Sequence, residues 1–249
     1  MYDASFARYY DELGWDSFAL SIAPRFASFL ESQGCLPRSA LDVACGTGVL
    51  MAELRRLIPG LQVHGLDQSE EMLRVTGGRL ATGYPSPILF HGDMTHFSLG
   101  RKFDLITCSY DSLNHILEPE GVRSAFASVA AHLNPGGWYI VDVNTDLAFR
   151  TNWNGYTVRH RNGNLVIEKP IYDARRKLAV VAIEATVVRD GVPVGYVNEV
   201  FWEKAYAGDE LVKWMREGGL DVRFIRDFRG NDVVEPDKTY RPFFYATKS

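Results

Sequence analysis

Two glycines and one carboxylate are spaced as a nucleoside-binding site requires. The segment 41–48 reads LDVACGTG, so Gly46 and Gly48 lie at the turn between an apolar run and a helix-like run. Glycine lets the backbone approach a ligand closely and adopts left-handed angles at little steric cost. Asp67 ends the next apolar run, roughly 20 residues further on, where a carboxylate can accept hydrogen bonds from both hydroxyls of a ribose. This spacing predicts a nucleoside cofactor.

The residue three positions after the second glycine bears on which nucleoside cofactor binds. A dinucleotide site usually reads Gly-x-Gly-x-x-Gly, and the helix that follows cradles a pyrophosphate. Met51 occupies the third position here, where a small residue is needed for close packing. S-adenosylmethionine has no pyrophosphate, so two glycines are enough. The pattern favours S-adenosylmethionine and leaves an NAD(P)-dependent oxidoreductase as an alternative.

Alternating strand-like and helix-like runs position these residues. The strand-like runs are Ser39–Ala44, Gln62–Leu66, Pro87–Phe90, Phe103–Ser109 and Trp138–Val143, and the helix-like runs are Leu20–Gln33, Val49–Ile58 and Met72–Leu80. Ser69 is placed to cap the third helix. This alternation predicts a parallel sheet with right-handed crossovers.

The alternation ends after the fifth strand. Four strand-like runs follow one another between Tyr156 and Tyr206, separated by turn residues at 162–164, 174–176 and 190–191, which is typical of an antiparallel meander. A helix at 208–217 and strands at 221–228 and 243–247 complete the pattern. We therefore predict an α/β fold, a Rossmann-like doubly wound seven-stranded sheet, in one domain over residues 1–249. An antiparallel β insertion at 153–206 would form a lid within that domain.

Composition limits the partners and the compartment. The chain has 249 residues, 46% of them hydrophobic, and a net charge of -4, so no general positive field would attract nucleic acid. No apolar run is long enough to span a membrane. The three cysteines, Cys35, Cys45 and Cys108, form no paired framework and favour a reducing compartment. We expect a cytoplasmic monomer or homodimer with no nucleic-acid or membrane partner and no metal.

Further motifs occur in a characteristic order along the chain. They are the glycine turn, Asp67, Gly92-Asp93-Met94, FDLITC at 103–108, LNPGG at 133–137, Phe6-Ala7-x-x-Tyr10-Asp11-x-Leu13, Asp111-Ser112-Leu113-Asn114 and Glu203-x-Ala205-Tyr206. Together they resemble the class I S-adenosylmethionine-dependent methyltransferases. More narrowly, the chain resembles the bacterial small-molecule group that includes sugar-amine N-methyltransferases.

The resemblance implies roles for the residues around the glycine turn. Gly46 and Gly48 would lie under the amino-acid end of the cofactor, with the Ala44 carbonyl facing its ammonium group. Asp67 would hold the ribose. The other implied contacts are Gln68 and Met72 against the adenine, Asp93 at the adenine amino group with Met94 beside it, Ser109 under the methionine moiety, and Tyr10, from an N-terminal helix, closing the site.

The acceptor is expected to be a small molecule, with nitrogen favoured over oxygen. The chain has no Asp/Asn-Pro-Pro-Tyr-type tetrapeptide and no Pro-Cys nucleophile, which makes nucleic-acid bases and glutamine side chains less favoured acceptors. A neutral amine can attack a methyl group directly, whereas a hydroxyl usually needs a base. His115 lies close to the expected acceptor position and is the candidate catalytic residue, with a packing role as the alternative.

Several other interpretations stay open at this stage. A non-catalytic module that binds S-adenosylmethionine would carry the same motifs. Asp42 is either a local cap or a residue that orients the glycine turn. Glu199 and Glu203, on the last insertion strand, are expected on a solvated face, with contact to a substrate amine as the alternative.

Overall fold

The computed structural model describes residues 4–82, 86–161 and 163–248. Asn162, in the first predicted turn of the insertion, lies outside the described residues. The helices are α1 (Ala4–Tyr9), α2 (Asp16–Ser32), α3 (Val49–Leu57), α4 (Glu70–Leu80), α5 (Pro119–His132), α6 (Asp146–Asn152) and α7 (Gly208–Glu217). The strands are β1 (Ser39–Val43), β2 (Gln62–Asp67), β3 (Leu89–His91), β4 (Phe103–Cys108), β5 (Leu133–Asp142), β6 (Thr157–Arg161), β7 (Asn164–Asp173), β8 (Leu178–Arg189), β9 (Val192–Lys204), β10 (Leu220–Arg226) and β11 (Phe243–Lys248). In these ranges no helix combines the length and apolarity needed to cross a membrane.

The main sheet has seven strands in the order β10-β11-β5-β4-β1-β2-β3. Strands β1 to β5 pair in parallel, and β11 runs antiparallel to both of its neighbours. The predicted Rossmann-like seven-stranded sheet is confirmed. The strand order reverses beside β1, and the crevice at such a switch point is where open α/β sheets bind ligands.

The central strands are mostly apolar because both faces of the sheet are covered. Leu105 packs in the layer formed with α2 and α3, whereas its neighbour Ile106 packs in the layer formed with α5 and α7. Ile140 and Val141 divide between the two layers in the same way. Side chains alternate across a strand, so a strand buried on both sides needs an uninterrupted apolar run.

The insertion forms a separate antiparallel sheet in the order β6-β7-β8-β9, as the meander pattern predicted. Along β8, residues Val181, Ile183, Ala185 and Val187 are buried, and the residues between them are more exposed. The buried face packs against an N-terminal cluster that includes Phe6. The insertion therefore folds back over the start of the chain.

Two helices lie where the sequence analysis assigned none. Helix α5 connects the parallel strands β4 and β5, which need a crossover, and buries Val122, Phe126 and Val129 at helical spacing. Helix α6 has only seven residues, too few for a clear periodicity, and the Thr145 side chain caps it by accepting a hydrogen bond from the Ala148 N–H.

Some strand boundaries also differ from the prediction. Strand β5 begins at Leu133 rather than at Trp138, so it includes the LNPGG motif at 133–137. Strand β3 covers Leu89–His91 rather than 87–90, because its pairing with β2 begins at Leu89 and Pro87 has no N–H to donate.

Candidate active site

The glycine turn leaves β1 through three residues with left-handed backbone. Ala44, Gly46 and Gly48 have φ angles of 56°, 54° and 75°. A Cβ on Gly46 would meet nothing within 4 Å, whereas a Cβ on Gly48 would lie 2.6 Å from Cγ2 of Thr76. Gly46 therefore leaves open space, and Gly48 permits close packing between the turn and α4.

Asp67 ties the glycine turn to the start of α4. The carboxylate is buried, and its two oxygens accept hydrogen bonds from the Gly46 N–H and the Ser69 N–H, each at 2.8 Å. Burial raises the pKa of Asp67, and the backbone donors act in the opposite direction. An ionised carboxylate has about four acceptor positions, so Asp67 keeps acceptor capacity beyond its backbone donors.

Asp42 lines the cavity beside the glycine turn and does not act as a local cap. Its Oδ1 accepts a hydrogen bond of 2.7 Å from the Thr107 hydroxyl on β4, so it links two central strands rather than capping a turn. The pKa of Asp42 is raised to about 7, because the effect of burial exceeds the opposing effect of the Thr107 hydrogen bond.

A cavity of about 320 Å³ lies at the carboxyl ends of the central strands. It brings together most of the residues singled out from the sequence, namely Tyr10, Ala44, Gly46, Asp67, Gln68, Met72, Met94, Ser109 and His115. Tyr10 follows the end of α1 rather than lying within it. Gly48 lies behind the cavity wall against Thr76. Asp93 is exposed, and its Oδ1 accepts a hydrogen bond from the Thr95 N–H at 2.8 Å.

The opposite wall comes from residues that the sequence analysis did not single out, although it expected the N-terminal segment and the β insertion to close the site. The N-terminal region supplies Trp15 and Asp16, the turn after β4 supplies Tyr110, and β9 supplies Phe201 and Trp202. Aromatic side chains predominate, as is common in small-molecule pockets. The only signal in the sequence was the aromatic content of these segments.

His115 lies in this second wall. Its Nδ1 is 3.0 Å from the Trp202 carbonyl oxygen. A carbonyl only accepts, so Nδ1 carries the proton of the neutral ring and the lone pair is on Nε2. The Phe201 ring is 6.1 Å away between centroids. The β9 backbone thus selects the tautomer of His115 whose Nε2 can accept a proton.

A buried ionic network supports the turn after β4. Arg241 forms salt bridges with Asp142 at 2.6 Å and with Asp111 at 3.1 Å. Asp142 also accepts hydrogen bonds from the N–H groups of Tyr110 and Asp111, whose φ angles are 61° and 53°. Left-handed backbone at two consecutive non-glycine residues is unfavourable. The network therefore holds Tyr110 in a conformation that local preferences oppose.

Glu203 belongs to the same network, and the expectation that it lies on a solvated strand face is wrong. It is only 4% exposed, and its Oε2 accepts a hydrogen bond of 3.2 Å from the Asn144 amide. The neighbouring Asn114 donates to the Lys204 carbonyl at 2.8 Å, so the end of β9 is fastened to the main sheet. Burial, and then the charge of Asp111, raise the pKa of Glu203 well above its ordinary value.

The N-terminal segment is fastened over the glycine turn. The Thr47 hydroxyl donates a hydrogen bond of 2.7 Å to Asp11, and Arg79 forms a salt bridge with the same carboxylate. Arg79 also donates to the Thr47 carbonyl at 2.8 Å. Burial raises the pKa of Asp11, while Thr47 and Arg79 lower it. These contacts close the cavity on the side of Tyr10.

Comparison with known proteins identifies the family of this chain. A family described as "Methyltransferase domain" matches residues 40–137. A putative methyltransferase of Geobacillus sp. (strain WCH70) is 32% identical over 253 residues, which cover 98% of this chain and 98% of that protein. The chain belongs to the class I S-adenosylmethionine-dependent methyltransferases. The predicted cofactor is the one that this family uses.

Other methyltransferases are also similar to this chain in sequence or structure. The dTDP-3-amino-3,4,6-trideoxy-alpha-D-glucopyranose N,N-dimethyltransferase of Streptomyces venezuelae is 28% identical over 233 residues, covering 90% of this chain and 94% of that protein. The dTDP-3-amino-3,6-dideoxy-alpha-D-glucopyranose N,N-dimethyltransferase of Streptomyces fradiae is 40% identical over 105 residues, which span 42% of this chain and only 38% of that protein. The crystal structure of an S-adenosylmethionine-dependent methyltransferase from Clostridium acetobutylicum has the same fold, with a TM-score of 0.83, 24% identity, and coverage of 92% of this chain and 91% of that one.

Proposed function

We propose that this methyltransferase methylates the amino nitrogen of a small-molecule acceptor, with an amino sugar as the favoured class. The observation that carries the proposal is the composition of the cavity, whose one wall is the glycine turn with Asp67 and whose other wall is Tyr110, His115 and β9. Cofactor and acceptor would share one enclosed space. The names of the two Streptomyces relatives, which are sugar N,N-dimethyltransferases, support the acceptor class.

The wall at the glycine turn fits S-adenosylmethionine. The open space at Gly46 accommodates the amino-acid end, and the remaining lone pairs of Asp67 can accept the ribose hydroxyls. Met72 is buried and provides an apolar surface for the adenine. The other proposed cofactor contacts are Gln68, Asp93, Met94, Ser109, Ala44 and Tyr10, with Asp93 at the adenine amino group. Gly48 acts by allowing the turn to pack on α4.

The second wall would orient the acceptor and accept its proton. Bound in the cavity, S-adenosylmethionine supplies a methyl group on a sulfonium, whose sulfur keeps the bonding electrons when the amine lone pair attacks the carbon in line. His115, held by the Trp202 carbonyl, would accept the proton that the nitrogen loses. The insertion at 153–206 would serve as a lid, because β9 and the aromatic N-terminal segment exclude water and orient the two reactants.

The experiment that tests this function is transfer of a radiolabelled methyl group from S-adenosylmethionine to a dTDP-linked amino sugar. We expect a product methylated on nitrogen, and no transfer to the matching sugar in which a hydroxyl replaces the amine. Transfer to the hydroxyl compound alone would refute the nitrogen assignment. Tight cofactor binding without transfer to any amine or hydroxyl acceptor would favour a non-catalytic binding module.

The role of His115 has its own test. We expect His115→Asn to lower kcat by roughly tenfold to a hundredfold, because the base is removed. His96→Asn, on an exposed loop, is the matched control. Equal kcat values for wild type and His115→Asn would leave His115 with a packing role.

We also propose that the protein acts in the cytoplasm as a monomer or homodimer without nucleic acid. Light scattering of the purified protein measures the oligomeric state directly.

A further inference from the structure

Three carboxylates line the active-site cavity, and Asp16 differs from the other two in its hydrogen bonds. Asp42 accepts one from a threonine hydroxyl, and Asp67 accepts them from backbone N–H groups. Oδ1 of Asp16 is buried, and no donor in the described part of the chain reaches it. A buried acceptor without a donor costs free energy, which a ligand that brings a donor can recover. The Asp16 side chain is still 20% exposed, so a ligand in the cavity can contact its carboxylate.

Arg161, on β6, offsets part of the charge of Asp16 without donating a hydrogen bond to it. Its Nη2 lies 3.8 Å from Oδ1, which is too long for a hydrogen bond. Its Nη1 donates instead to the Gly14 carbonyl at 3.1 Å. The Arg161 side chain is 43% exposed, so solvent weakens its attraction to the carboxylate. Asp16 therefore keeps both hydrogen-bonding capacity and negative charge at the cavity.

Aromatic rings lie on the same wall as Asp16. The Trp15 ring is 5.5 Å from the Tyr10 ring between centroids, and its Nε1 donates to Glu168 at 3.3 Å, which fixes the indole. Tyr110 also lines this wall. Among the residues that the structure describes, no lysine or arginine lines the cavity. Because aromatic faces attract cations, a carboxylate with rings and no basic side chain favours a cationic ligand over an anionic one.

We infer that Asp16 selects the acceptor by its charge and binds the amino group as an ammonium ion. This inference rests on the proposed function. An aliphatic amine resembles the lysine side chain, whose pKa is about 10.4, and is therefore protonated at neutral pH. Asp16 would accept a charge-assisted hydrogen bond from the ammonium, with Trp15 and Tyr110 against the cation. The ammonium would then give one proton to Nε2 of His115, which frees the nitrogen lone pair to attack the methyl carbon.

The test is calorimetric titration with the dTDP-linked amino sugar and with the matching sugar in which a hydroxyl replaces the amine, both with saturating S-adenosylhomocysteine. The variant is Asp16→Asn, which keeps the size of the side chain and removes its charge. The matched control is Asp209→Asn, which changes an exposed acid outside the cavity. Both acids lie in the first turn of a helix, so both substitutions weaken the same kind of interaction with the helix dipole.

We expect wild type and the control to bind the amino sugar roughly tenfold or more tightly than the hydroxyl sugar, and Asp16→Asn to bind the two sugars about equally. In turnover, Asp16→Asn should raise the KM for the amino sugar by roughly tenfold and change kcat by less than about threefold, because a binding interaction is lost.

The other outcomes separate this inference from the proposed function. If Asp16→Asn keeps the preference for the amino sugar, or if wild type methylates that sugar without preferring it in binding, the inference is overturned and the proposed function stands. Weaker binding of S-adenosylhomocysteine by Asp16→Asn would place the carboxylate at the ammonium group of the cofactor, which also overturns the inference. Failure of wild type to bind or methylate the amino sugar would refute the proposed function itself.

Discussion

The two walls of the active-site cavity are built in different ways. The glycine-turn wall comes from consecutive elements, β1 to α4, and its main hydrogen bond joins Asp67 to Gly46 across a single crossover. The opposite wall joins segments far apart in the chain, such as His115 with Trp202 and Arg241 with Asp111. We call the glycine-turn wall the cofactor wall and the opposite wall the acceptor wall. The family match at 40–137 covers the glycine turn and Asp67, and also Tyr110 and His115, but it excludes β9 and Arg241. We therefore expect the cofactor wall to be general and acceptor specificity to depend on β9 and Arg241.

Breaking the ionic network should have the largest effect on stability. Its effect on binding should be confined to the acceptor wall. Arg241→Met leaves Asp142 buried without its cation, which is expected to cost about 3–5 kcal/mol of unfolding free energy. Arg223→Gln breaks an exposed salt bridge with Asp221 and should cost less than about 1 kcal/mol of unfolding free energy. Urea denaturation measures both. In the folded fraction of Arg241→Met, the KM for the acceptor should rise more than the KM for S-adenosylmethionine, and equal rises would argue against two separable walls.

A side chain at Gly46 should disable the cofactor wall alone. Gly46→Leu would fill the open space, so we expect affinity for S-adenosylhomocysteine to fall by roughly a hundredfold, about 2.7 kcal/mol. Gly100→Leu is a close control, because Gly100 also has a left-handed φ, of 65°, and open space around its Cβ position, but lies in a distant loop. Both variants carry similar backbone strain. Similar affinities in the two variants would place the cofactor elsewhere.

Glu203 allows the acceptor wall to be probed by pH. Its folded-state pKa is raised, so between the ordinary carboxyl pKa of about 4.3 and the raised value the folded protein binds more protons than the unfolded chain. Stability contributed by this group is therefore lost as pH rises through that window. Glu203→Gln should gain stability relative to wild type as the pH rises from 5 to 8.

The control for this prediction is Glu184→Gln, which changes a more exposed carboxylate paired with Lys169 on the same insertion sheet. Other buried acids, including Asp42, remain in both variants, so the difference between each variant and wild type isolates the altered group. A stability difference for Glu203→Gln that does not change between pH 5 and pH 8 would contradict the raised pKa of Glu203.

The sequence predicted the cofactor wall better than the acceptor wall for a physical reason. Gly46, Asp67 and the Ser69 cap act through local conformation and neighbouring strands, so their spacing carries the information. Glu203 and Arg241 act through burial at the end of β9 and the start of β11. In the sequence, the segments around Glu203 and Arg241 have the alternation and charge of ordinary strand ends. No local pattern distinguishes a buried ionic network from a solvated one before the segments are brought together.

The most direct test of the central claim is calorimetric titration with S-adenosylhomocysteine, using wild type, Asp67→Ala and Asp67→Asn. We expect saturable binding to wild type, with the affinity of Asp67→Ala weaker by roughly 1–3 kcal/mol because charge-assisted hydrogen bonds to the ribose are lost. Asp67→Asn keeps one acceptor oxygen and should lie between the two. NADH should not bind. Unchanged affinity in Asp67→Ala, or saturable binding of NADH alone, would contradict the account.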